Sequence, residues 1–186
     1  GFAQYMKKEN EAALQTFKKG VAQIKPDSDP NIVSDFYAVM GDILHEKGLE
    51  KQAFEAYDSC LHWRPDNLSA LNNYAYYLSL TKSDLKKAEL MSYKTIKKEP
   101  TNSTFLDTYA WILFLQGRYE EANTYIEQAI KNDSTPSGTL FEHAGDIYYQ
   151  AGKPEAALEA WQKALQLGNN SATLRKKINL KKYIPE

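Results

Sequence analysis

Residues 141–146 read FEHAGD, and they place His143 between two carboxylates, Glu142 and Asp146. On a helix Glu142 and Asp146, four residues apart, share a face, and His143 and Asp146, three apart, can also meet. Such a trio suits either of two chemistries, a metal shell or an acid–base pair. Two further histidines exist, His45 and His62. The motifs that would make either chemistry specific are missing: there is no HExxH, no GxxxxGK[ST] and no paired CxxC. The trio therefore reads as polar chemistry on an exposed helix. The chain is expected to be non-enzymatic, with no metal and no cofactor.

Composition narrows the remaining classes. The chain has 186 residues, 42% hydrophobic and 25% charged, enough for one domain or a short repeat array. Lysine and arginine number 23 against 24 aspartate and glutamate, so no general charge attracts nucleic acid or an anionic membrane. The basic run RKKINLKK at 175–182 has almost no interleaved aromatics and reads as a solvated cap. Cys60 is alone, so no internal disulfide can form. No apolar run approaches the roughly 20 residues that span a bilayer. Starting at Gly1 without a methionine, the chain reads as a processed or trimmed piece. Its 13 tyrosines, 7 phenylalanines and 3 tryptophans suit packed helices and binding surfaces alike. Asn-X-Ser/Thr triplets at Asn67, Asn102, Asn132 and Asn169 read as turn and cap chemistry.

The elements that position these side chains come from a repeat. GDILHEKGLEKQAFEAYDSC at 41–60 returns as GDIYYQAGKPEAALEAWQKA at 145–164, 104 residues later. Small residues mark the interval: Gly41, Ala75, Ala110 and Gly145 follow at steps of 34, 35 and 35. Further columns share the period, among them Ala53, Ala88, Ala122 and Ala157, and Tyr57, Ser92, Ile126 and Trp161. Internal repetition of this length predicts a solenoid. Within a unit, Phe36, Tyr37, Met40, Ile43 and Leu44 have helical spacing, Gly48 breaks it, and Ala53, Phe54, Tyr57 and Leu61 resume it before Pro65. Gly117 and Gly152 mark the same turn, while TKSDLKK at 81–87 carries it without glycine. The small columns predict close helix contact, where larger side chains do not fit.

These columns resemble the tetratricopeptide repeat. Residues 34–67 carry its pattern through Tyr37, Met40, Gly41, Leu44, Ala53, Tyr57, Cys60 and Pro65, and residues 138–170 through Phe141, Ala144, Gly145, Tyr148, Ala157, Trp161 and Ala164. Units 68–102 and 103–137 match more loosely. Ala13 and Phe17 place a partial unit in 1–27, followed by an insertion at 28–33, and 171–184 reads as a capping helix. The resemblance thus implies an all-α fold, a right-handed α-solenoid of stacked antiparallel helix pairs forming one array over 1–186. It implies a non-enzymatic interaction scaffold that binds a protein or peptide in a groove lined by the first helix of each pair. A structural spacer or oligomerisation arm of a larger protein is the alternative.

Carried over position by position, the groove set is Asp35, Asp42 and His45, then Asn72, Asn73 and Tyr76, then Asp107, Trp111 and Phe114, then Glu142, His143, Asp146 and Tyr149. This acidic set with aromatic platforms implies a partner segment with basic and apolar side chains. Aromatics at helical spacing are also ordinary packing residues, and acidic ones ordinary solvated residues. Asn73 stands where the family's carboxylate clamp has an asparagine, but Ala38, Asp42, Thr104 and Thr108 supply no basic residue, which argues against a chaperone-tail receptor. Neither nucleic acid nor a direct membrane span is expected, and the partial first unit leaves self-association open. Many bacterial members are periplasmic or lipoprotein-tethered, the only pointer to a compartment.

Overall fold

The structure is a computed structural model describing residues 1–185. It is an all-α solenoid of helix pairs, with no strand among the described residues. The helices are α1 (Phe2–Met6), α2 (Asn10–Val21), α3 (Pro30–Glu46), α4 (Glu50–Trp63), α5 (Leu68–Thr81), α6 (Leu85–Lys98), α7 (Ser103–Leu115), α8 (Tyr119–Asn132), α9 (Gly138–Gln150), α10 (Pro154–Gln166) and α11 (Ala172–Leu180). Two differences from the sequence reading stand out. Pro30 starts α3, so Asn31, Ile32 and Val33 are helical rather than an insertion. At the other end α11 stops at Leu180, where Lys181 turns left-handed at φ +50°, short of the expected 184.

Local signals set these boundaries. Side chains of Asp29, Asp84, Asn102, Ser137 and Ser171 cap α3, α6, α7, α9 and α11 by accepting from first-turn N–H groups. Asn67 does the same for the N–H of Ala70 in α5. Asn169 accepts from the Ser171 N–H, while the Asn132 amide donates to the Gln128 carbonyl. The tight turns use a left-handed residue at one fixed register: Gly48 at φ +71°, Gly117 at +78°, Gly152 at +76°. Lys82, seven residues after Ala75, fills that register at φ +53°. After each glycine a backbone N–H returns five residues, as from Leu49 to the Leu44 carbonyl, which closes the helix end. Turns this short force antiparallel neighbours.

The chain divides into two compact units, Gly1–Tyr77 and the residues from Leu78 onward, the division falling inside α5. In the first unit α1 packs on α2, α2 on α3 and α3 on α4. Ala13, Leu14, Phe17, Met40, Ile43, Leu44, Ala53 and Ala56 form its core. In the second unit α6 packs on α7, α7 on α8, α8 on α9, α9 on α10 and α10 on α11. The small-residue column sits where each pair comes closest. A Cβ on Gly41 would lie 2.8 Å from the Tyr57 ring, and one on Gly145 would lie closer still to the Trp161 ring. Gly1 stands in the same relation to Phe17. A buried polar knot ties α3, α4 and α5 together: Asn67 donates to Ser34 Oγ, and Ser34 Oγ lies 3.1 Å from Cys60 Sγ.

Candidate functional site

The predicted groove residues lie on the first helices α3, α5, α7 and α9, but most of their polar atoms are already engaged. In the first unit, Asp42 of α3 accepts from the hydroxyl of Tyr57 on α4 and from the amide of Asn73 on α5. Burial pushes its carboxyl above the usual carboxylate range, although both hydrogen bonds pull it down. His45 stacks on Tyr77 with ring centroids 3.6 Å apart, and burial holds it below its ordinary pKa. Asp35 pairs with Arg64 at 3.1 Å. Asn72 is buried with its Oδ1 unpartnered, and Tyr76 packs beside Tyr77.

The second unit repeats the arrangement with charge. Asp146 of α9 accepts from the Trp161 indole on α10 at 2.9 Å and from the Lys177 ammonium on α11 at 2.7 Å. Glu142 accepts from the same ammonium at 2.9 Å and from the Asn169 amide at 2.6 Å. Burial pushes the Asp146 carboxyl up to about 6, against the pull of Lys177, Trp161 and His143. For Lys177, burial acts downward, but Asp146 and the bonds to both carboxylates outweigh it and raise the pKa. His143 Nδ1 lies 2.9 Å from Asp107 on α7. Burial alone would lower its pKa, yet the charge and hydrogen bond of Asp107 raise it, which favours the imidazolium.

The trio in 142–146 is therefore not on an exposed helix: Glu142, His143 and Asp146 are all buried. Glu142 and Asp146 meet at one lysine, while His143 turns to Asp107. Nor is the basic run after 175 wholly solvated, because Lys177 is fully buried. Among the described residues no group of three or more His, Cys, Asp and Glu side chains converges as a metal shell. No helix there is long and apolar enough to cross a membrane.

The aromatic positions make a continuous stack within the second unit. Trp111 lies on His143 at 4.2 Å and on Phe114 at 4.9 Å, and Tyr183, beyond α11, meets the Phe114 ring edge-on at 5.6 Å. Phe114 is buried by these rings. Trp111 and Tyr149 remain partly accessible, Tyr149 stacking on Trp161. Sequence reasoning missed Lys177, Trp161, Tyr183 and Lys82. A signal was present for two of them: the 104-residue shift that carries Asp42 to Asp146 also carries Tyr57 to Trp161 and Asn73 to Lys177.

Comparison with known proteins follows the repeat. A family model described as Tetratricopeptide repeat matches residues 34–67 and 105–136, and a second of the same description matches 140–171, together more than half of the chain. The type IV pilus assembly protein PilF of Pseudomonas aeruginosa is 26% identical over 152 residues, 81% of this chain and 60% of that protein. The chain thus spans less than two thirds of that relative. The solved structure of P. aeruginosa PilF superposes with a TM-score of 0.68 at 23% identity, covering 83% of this chain and 69% of that one. A thermophilic TPR protein of Thermus thermophilus superposes with a TM-score of 0.71 at 17% identity, over 97% of this chain and 94% of that one. Both likenesses establish the fold.

Proposed function

The chain belongs to the tetratricopeptide repeat family, and from that premise we propose that its first-helix face is a groove that holds an extended or helical segment of a protein partner. Proteins of this family are typically non-enzymatic scaffolds that bind protein partners, and this chain is a protein-interaction scaffold. We read it as one array, with a partial unit in 1–27, full units at 34–67, 68–102, 103–137 and 138–170, and a cap from 171.

One observation carries the groove reading. On α7 and α9, Trp111 and Tyr149 stay partly accessible while the neighbouring column residues Ala110 and Gly145 are covered. Large rings held rigidly at a partly wet surface are effective anchors for a partner. The acidic members weigh less, since Asp42, Glu142 and Asp146 are matched by donors within the chain. Asp35 is also matched, by Arg64, though its side chain stays 47% exposed. The test is affinity capture from the native cell with the parent chain, the Trp111→Ala and Asp107→Asn variants, and the Tyr76→Ala/Trp111→Ala double variant. The reading expects partners to be lost while circular dichroism shows the helical fold retained, with melting lowered because Asp107 and Trp111 also hold His143. Capture unchanged by the folded double variant would reject it.

A spacer or oligomerisation arm is the second reading, favoured by Phe2 and Met6 of α1, which are 44% and 81% exposed. Sedimentation equilibrium decides it. Concentration-dependent association that Met6→Ser abolishes supports the oligomerisation arm, and a monomer at all concentrations refutes it.

A further inference from the structure

The second unit encloses a cavity of about 250 Å³ among the ends of α5, α7 and α9 and the segment beyond α11. Leu80, Leu115 and the rings of Trp111 and Tyr183 make its walls largely apolar. Its polar groups are unevenly satisfied. Asp146 lines the cavity, but both carboxylate oxygens are occupied, Oδ1 by Trp161 and Oδ2 by Lys177. A cation entering here would find that charge already matched. The donors are in the opposite state. Trp111 Nε1 is buried and has no acceptor, whereas buried polar groups are nearly always hydrogen-bonded. Lys82, on the rim, is exposed and pairs with no carboxylate among the described residues.

Apolar walls with unmatched donors call for an apolar group that brings its own acceptor. The volume lies below the roughly 300–1,000 Å³ of a site for a whole small molecule and suits a single side chain. We propose that this cavity is a subsite for one apolar side chain of the partner, whose adjacent acceptor oxygen, a carboxylate or a backbone carbonyl, takes the hydrogen bond of Trp111 Nε1 within reach of the Lys82 ammonium. Tyr183, on the non-helical segment beyond α11, is the wall that yields to admit the acceptor. The proposal rests on the groove reading and deepens it, naming the partner chemistry at one position.

The indole N–H signals of the ¹⁵N-labelled full chain provide the test, Trp111 being assigned by its absence in Trp111→Phe. Three probes are titrated: N-acetyl-phenylalanine, which carries a carboxylate; its methylamide, which carries only carbonyls; and N-acetyl-lysine methylamide, which carries a cation. A saturable downfield shift of the Trp111 indole proton with either phenylalanine probe is the expected result. Lys82→Gly should weaken a carboxylate ligand by about 2- to 5-fold and leave a carbonyl ligand unchanged, which distinguishes the two sources. Trp111→Phe keeps a ring but removes the donor, and should weaken the phenylalanine probes by about 2- to 10-fold in ligand-observed NMR. No saturable shift with either phenylalanine probe, or a larger one with the lysine probe, overturns the proposal. So does equal probe binding by Trp111→Phe. In each of those cases the groove reading still stands or falls separately, on capture by Trp111→Ala.

Discussion

Lys177 stands to Asp146 as Asn73 stands to Asp42: each reaches back 31 residues from the next first helix to a carboxylate that a second-helix aromatic already bonds. In the second unit the reaching group is an ammonium whose side chain is 1% exposed. Residues first read as recognition groups thus serve as ties between successive helices.

Truncating that tie leaves two buried carboxylates facing each other. Lys177→Ala is expected to cost about 3–5 kcal/mol in urea unfolding. Lys177→Met combined with Glu142→Gln and Asp146→Asn, which removes the charges together, should cost clearly less than the single change. A single variant as stable as the parent would contradict the buried pairing.

The His143–Asp107 pair predicts a pH dependence. The folded pKa of His143 is above its ordinary 6.5, so its contribution is complete below about 6.5 and is lost as pH rises through the folded value. Asp146, raised from 3.8 to about 6, changes its contribution mostly below that window. His45, shifted below 6.5, also finishes titrating by then. The stability difference between parent and His143→Gln should therefore shrink from pH 6 to pH 8.5, measured by urea unfolding at each pH.

Added carbon in the small-residue column should be felt in proportion to how firmly the opposing ring is held. Trp161 is fully buried and its indole is bonded to Asp146, so Gly145→Ala, whose Cβ would press hardest on its ring, has little room to relax. Gly41→Ala meets Tyr57 at 2.8 Å. Both, and Ala122→Leu on fully buried α8 surface, should cost about 1–3 kcal/mol by thermal or urea unfolding, with Gly145→Ala the largest.

Lys82 offers the opposite case. Like Lys8 in the turn between α1 and α2, it occupies with a side chain the register where Gly48, Gly117 and Gly152 hold positive φ. A left-handed non-glycine residue is strained by roughly 1–2 kcal/mol, part of which glycine's greater freedom in the unfolded chain offsets. Lys82→Gly should therefore raise the unfolding free energy measured in urea slightly, by up to about 1 kcal/mol. A clear loss of stability would mean the lysine contributes contacts that outweigh its backbone strain.

The helices and their close packing were legible because they depend on local chemistry repeated at one period. Gly41 against Tyr57 and Gly145 against Trp161 could be anticipated from the columns alone, since a small residue facing an aromatic is a steric rule. The candidate site was less legible. Lys177 lies in a run of lysines and gives no sign by itself of carboxylates 31 and 35 residues away. Lys82 was passed over because only glycine announces positive φ. Phe114 and Glu142 were placed on the correct helices, but whether a first-helix side chain meets water depends on Tyr183 and Lys177, which arrive from much later in the chain.

The knot of Ser34, Asn67 and Cys60 gives the molecule an internal clock. Its single thiol is fully buried, and burial raises its pKa, so a disulfide reagent can reach it only when α3, α4 and α5 part. The labelling rate of Cys60, followed against reagent concentration, therefore reports how often that junction breathes, with no added dye and no substitution.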